Sequence, residues 1–144
     1  MNRIFYILIC VLILISSANA KEIYLNCESY KIISYRINGE IETGKGFPIE
    51  KIYKLNTAKK KVFKFMNTAN TFIDISEDNL KWNKEIITWN HRVKKISEDH
   101  SAFITYSTLN RLNLELLKST LYEDDKYFKK MDSHYRCNIV DKKF

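Results

Sequence analysis

Cys27 and Cys137 are the residues of this chain whose type and placement most directly specify chemistry. The third cysteine, Cys10, lies inside an apolar run near the N-terminus, which leaves an even pair separated by almost the whole remaining chain. In an oxidising compartment such a pair closes a disulfide, and on the chain-entropy account a loop of about 100 residues contributes roughly 4–5 kcal/mol. A Cys27–Cys137 bridge is therefore expected.

Other chemistry finds little footing. The histidines His91, His100 and His134 show no H-x-x-x-H spacing, and no C-x-x-C occurs, so no metal site is expected. Glu98-Asp99-His100 reads as a solvated turn, His134 as a residue on the polar face of a strand, and His91 as a partly buried, hydrogen-bonded side chain beside Trp89 and Val93. No G-x-S-x-G presents a nucleophile, and three glycines make a phosphate-cradling loop hard to build. A carboxylate pair for glycoside hydrolysis is defined by separation in space, so the sequence leaves that one enzymatic alternative open. The expectation is a protein that is not an enzyme and carries no cofactor.

Lys59, Lys60, Lys61 and Lys64 interleave with Phe63 and Phe65. Basic residues among aromatics can grip single-stranded nucleic acid, but lysines also keep strand edges soluble. Export argues against a nucleic-acid partner. The four lysines are thus expected to form a basic surface, capable of weak attraction to anionic membrane headgroups or other envelope polymers.

Export is read from the first residues. Arg3 precedes twelve unbroken apolar residues, Ile4 to Ile15, and Ser16 to Ala20 supply a small-residue cleavage site with Lys21 as the new N-terminus. Twelve is short of the roughly 20 that span a bilayer. A signal peptide over 1–20 is expected, cleaved between Ala20 and Lys21, with an uncleaved anchor as the alternative. Without Arg3 the remainder has 23 basic and 17 acidic residues, a net charge of +6.

The elements that must position these groups read as strands in one domain, residues 21–144. From Lys130 to Ile139, Met131, Ser133, Tyr135, Cys137 and Ile139 alternate with polar residues, the period of a half-buried strand. Ile23, Leu25 and Cys27 do the same at the start, so both cysteines fall on an inward face. Asn38-Gly39 marks a hairpin turn after Tyr30 to Ile37, and Thr43 to Pro48 reads as a loop. Ile49 to Leu55, Lys61 to Met66, Phe72 to Ile75, Glu85 to Val93, Phe103 to Leu109 and Leu114 to Leu121 are further strands. Residues 82–96 and 107–121 also carry helical spacing, through Trp82, Ile86, Trp89, Val93 and Ile96 and through Leu109, Leu112, Leu116 and Leu117; their composition favours strands. The expected fold is all-β, a single antiparallel barrel or sandwich of about eight strands. Tyr53, Phe63, Phe65, Trp82 and Trp89 are expected in its core or lining a cavity.

Leu109-Asn110-Arg111, and Tyr135-Arg136-Cys137 followed by Lys142-Lys143-Phe144, resemble small exported alphaproteobacterial proteins of uncharacterised function. Those end in a cysteine, a basic residue and a terminal Phe, and carry an N-R-x-T-G hairpin; here Leu112-Asn113 stands where Thr-Gly would be. Size, signal and cysteine placement are also similar to periplasmic β-barrel lysozyme inhibitors, whose Ser-Gly-x-x-Tyr loop this chain lacks. The expectation from all of this is a monomeric, non-catalytic binding protein of the periplasm or cell exterior. Its ligand would be an envelope component, a small apolar molecule or another protein. An inhibitor and a small hydrolase are the alternatives.

Overall fold

A computed structural model describes residues 22–46, 49–76, 79–95 and 101–141. The expected signal peptide, its Ala20/Lys21 junction and the Glu98-Asp99-His100 turn lie outside the described residues. Ten strands follow one another in the chain: β1 (Glu22–Arg36), β2 (Ile41–Lys45), β3 (Glu50–Asn56), β4 (Lys61–Met66), β5 (Thr71–Asp74), β6 (Lys81–Trp82), β7 (Ile86–Val93), β8 (Phe103–Asn110), β9 (Glu115–Tyr122) and β10 (Phe128–Val140). No helix occurs among the described residues: the stretches 82–96 and 107–121, where described, are strands interrupted by a bend at 83–85 and a turn at 111–114.

All pairings are antiparallel, and the sheet runs β5-β4-β3-β1-β10-β9-β8-β7-β6. It curls into a half-barrel. Among the described residues no pairing joins β5 to β6, so the barrel is left open along that seam. The first and last strands are not at the margins but at the centre, where β1 and β10 pair along almost their full lengths. The two runs read separately as 22–28 and 30–37 are one long strand with a bulge at Tyr30. That extra residue shifts the alternation: Leu25, Cys27 and Ser29 share a face before it, and Ile32 and Ser34 continue that face after it.

The length of β1 explains a correction. Its outer edge is shared end to end, first by β3 against residues 22–28 and then by β2 against residues 31–35. Thr43 to Lys45 therefore belong to a strand, not to the expected loop, with Gly44 inside it. Gly46 follows where the chain passes the bulge. A Cβ there would sit 2.3 Å from Ser29 Oγ and 2.7 Å from the Ser29 backbone, so only glycine fits. Gly39 takes a φ of 89° in the Asn38-Gly39 turn, as that dipeptide dictates.

Alternation sends Leu25, Cys27, Tyr53, Leu55, Val62, Ile87, Trp89, Leu109, Leu116, Tyr135 and Cys137 to the concave face, where they form one buried cluster. Two expectations for β10 fail. Ile139 faces the same side as Leu25 yet is 64% exposed, because β9 pairs no further than Arg136 and leaves that end of β10 uncovered. Asp132, expected to be solvated, is buried; Ser119 donates a hydrogen bond to it and Lys130 pairs with it at 2.8 Å.

Cys27 and Cys137 lie directly opposite each other and are bonded, as expected. The amide of Cys137 donates to Leu114 O at 2.9 Å, away from β1, so the two cysteines form a non-hydrogen-bonded pair, the rung on which side chains approach most closely. Replacing both cysteines by Ala is expected to lower unfolding free energy by about 4 kcal/mol, given their sequence separation of 110; denaturant titration of the oxidised parent and the double variant measures it. Gly46→Ala is expected to cost about 1–3 kcal/mol while Gly44→Ala, with nothing within 4 Å of its Cβ, costs less, a contrast read by the same titration.

Candidate functional site

The concave face changes character along its length. Beyond the apolar cluster, the alternation of β3, β4 and β9 turns three lysines inward: Lys51, Lys64 and Lys118. Lys51 and Tyr53 are two apart on β3, and Tyr53 pairs with Lys64 across β3–β4. Lys118 comes from the opposite wall, flanked by Ser107 on β8 and Ser133 on β10. The three line a cavity of about 450 Å³. Trp89 closes it towards the core, Thr105 and Thr120 share a hydrogen bond at 2.9 Å on its wall, Ile73 pairs beside Lys64, and Met66, Val93, Phe103 and Tyr122 surround its open end.

No Asp or Glu is among the described residues that line this cavity. The ion pairs among the described residues lie elsewhere, on the outer face or at the rim: Lys54–Glu22, Lys61–Asp74, Lys95–Asp124 and Arg36–Glu42 are examples. The cavity lysines meet each other instead. Burial pushes the Lys118 ammonium down to about 7, and the positive charges of Lys51 and Lys64 push it the same way. Lys64 is also lowered, first by burial and then by Lys51. Lys51 donates to Tyr135 Oη at 2.9 Å and lies 5.0 Å from the centre of that ring. Beneath them the Tyr53 hydroxyl is fully buried, has no hydrogen-bond partner, and has its pKa raised by burial and by Tyr135.

The expected basic surface is divided. Lys59 and Lys60 stand exposed in the β3–β4 turn, and Lys61 pairs with Asp74. Lys64 points to the opposite side of the sheet, into the cavity. Trp89 and Tyr53 pack edge-on at 6.0 Å in the core, Trp89 reaching the cavity as well, whereas Trp82 sits under Arg111 at 5.7 Å. Phe63 and Phe65 face outward: Lys54 lies 4.5 Å from the Phe63 ring and Phe65 packs on Phe72 at 5.2 Å. His91 lines the cavity at its rim and is exposed rather than partly buried. Among the described residues no group of three or more His, Cys, Asp or Glu is placed to hold a metal ion.

Lys51 and Lys118 drew no notice in the sequence, and β9 shows why. Its outward residues, Leu117, Ser119 and Leu121, are as apolar as its inward ones, Leu116, Lys118, Thr120 and Tyr122, so alternation gave no guide to which side was inside. The detectable signal was register: a lysine two residues from a buried leucine shares its face.

No family model, curated protein or solved structure matches this chain.

Lys118 makes stability depend on pH in a defined direction. Its ordinary value is 10.5 and its folded value about 7, so between them the unfolded chain holds a proton that the folded chain has released. Stability therefore rises with pH across that window, and the burial penalty is complete below it. Lys118→Met is expected to stabilise the protein by about 1–4 kcal/mol near pH 6 and by much less above about pH 10.5; denaturant midpoints at the two pH values check this.

Proposed function

We propose that this chain is an exported, non-catalytic binding protein of the cell envelope, holding a small, partly apolar ligand in the mouth of its half-barrel. The observation that carries the reading is the cavity of about 450 Å³, walled by Met66, Ile73, Val93, Phe103 and Tyr122 and floored by Trp89. A concave, mostly apolar site of this size with a few convergent polar groups suits a small molecule. Among the described residues its polar groups are lysines, hydroxyls and His91 at the rim, with no carboxylate beside them, and that favours retention of a ligand over its conversion. Export is supported by the buried Cys27–Cys137 bridge, since disulfides persist in oxidising compartments, and by the signal pattern of Met1 to Ala20.

Trp82 and Trp89 are the two indoles of the chain, and Trp89 alone lines this cavity. Titration with decanol, decanoate and decyltrimethylammonium is expected to give a saturable fluorescence change with at least one of them. The same ligand raises the melting temperature, and the fluorescence change is lost in Trp89→Phe and kept in Trp82→Phe. Absence of both responses with all three amphiphiles overturns the reading.

A further inference from the structure

The lysines on the cavity floor carry a cost that the surrounding side chains do not offset. Ammonium groups are rarely buried unless paired, and like charges brought together oppose burial further. Yet Lys51 and Lys64 from one wall and Lys118 from the other converge with no carboxylate among the described residues around them. They cannot be dismissed as neighbours on one strand edge: β1 and β10 lie between β3 and β9 in the sheet, so the lysines meet only because the sheet curls. The depressed value of Lys118, caused by burial and then by the other two ammoniums, is the thermodynamic mark of the same arrangement. An anion brought among the three would offset their repulsion, and charge-assisted hydrogen bonds in a partly dry site are strong ones.

The walls above the lysines specify the rest of the ligand. One rung outward lie Thr105 and Thr120, and beyond them Phe103, Tyr122 and Val93 make an apolar collar, while Ile73 stands beside Lys64 on the other wall. The polarity thus runs from a cationic floor to an apolar mouth, the reverse of a simple surface anion site.

Resting on the cavity-binding reading above, we propose that the ligand is a single-chain anionic amphiphile. Its carboxylate or phosphate head lies between Lys51, Lys64 and Lys118, and its chain leaves along Phe103, Tyr122 and Val93 towards the mouth. The structure calls for one negative head and one slender apolar tail; an alkyl carboxylate and an alkyl phosphate monoester share that chemistry.

The test uses the full mature chain with its disulfide intact and four probes of one chain length: decanoate, decyl phosphate, decanol and decyltrimethylammonium, each below its micelle concentration. Inorganic phosphate serves as a head without a tail. Binding is read from Trp89 fluorescence and from melting temperature. At least one anionic probe is expected to bind about tenfold or more tighter than decanol, and the cationic probe more weakly than decanol. Added NaCl should weaken the anionic probe and spare decanol. Whichever of decanoate and decyl phosphate binds tighter identifies the head. Lys118→Gln, which relieves a buried charge and so folds at least as well as the parent, and Lys64→Gln are each expected to weaken the anionic probe about tenfold while decanol is unchanged. Lys59→Gln, in the exposed β3–β4 turn, should alter neither. Equal binding of decanol and both anions, or no effect of Lys118→Gln, overturns this proposal and leaves the cavity-binding reading standing. Inorganic phosphate bound as tightly as the amphiphiles overturns the tail, and no binding by any probe overturns both.

Discussion

Everything in this fold is referred to the pairing of its first and last strands. β1 and β10 run antiparallel from Tyr24↔Val140 to Arg36↔Phe128, and the buried Cys27–Cys137 bond fixes their register. From this central ribbon the sheet grows outward in chain order on each side, through β3, β4 and β5 in one direction and through β9, β8, β7 and β6 in the other. Apart from β3, which reaches β1 across the intervening β2, each added strand is a hairpin partner of the one before, so the central pairing joins the residues farthest apart in sequence. A covalent bond at that one non-local contact acts where loop-closure entropy is greatest.

The same ribbon divides the concave face into two environments. Around the disulfide, side chains from both flanks meet in a dry cluster that supplies the burial energy. Further along, the flanks stay apart, and lysines, threonines and aromatic rings line the space left between them. A core continued through this second region would be more stable. That the chain places ammonium groups there is the kind of departure from optimal burial that accompanies a site used for binding. The unpartnered Tyr53 hydroxyl lies next to Lys64 in register, where the two environments meet.

How much of this was legible in the sequence follows from the same division. Where a strand crosses the apolar cluster, alternation identified it and its inward face: Leu25, Cys27, Tyr135 and Cys137 are buried as their spacing requires. β4, β7, β8 and β9 fell within a residue or two of their bounds because runs of polar and turn-forming residues flank them in the sequence. β6 is a two-residue rung, too short for any period, and β2 carries Gly44 and no buried side chain, so neither could announce itself. The cavity was the least legible part. Inward-facing residues there are polar, which inverts the pattern that sequence reading depends on, and Lys64 read as a member of a basic surface with Lys59, Lys60 and Lys61 when the pleat turns it to the other side.

The neighbouring strands β1 and β10 also fix where the described chain enters and leaves. Tyr24 and Val140 face each other at the disulfide end of the ribbon, whereas Phe103, Tyr122 and Val93 surround the opening near its far end, where Arg36 meets Phe128. The molecule is therefore polar in the geometric sense, with both points of covalent continuation at one pole and the mouth at the other. A tether, a fused partner or a surface immobilisation at either end would hold the protein with its opening directed away from the support, and both ends are equivalent for that purpose.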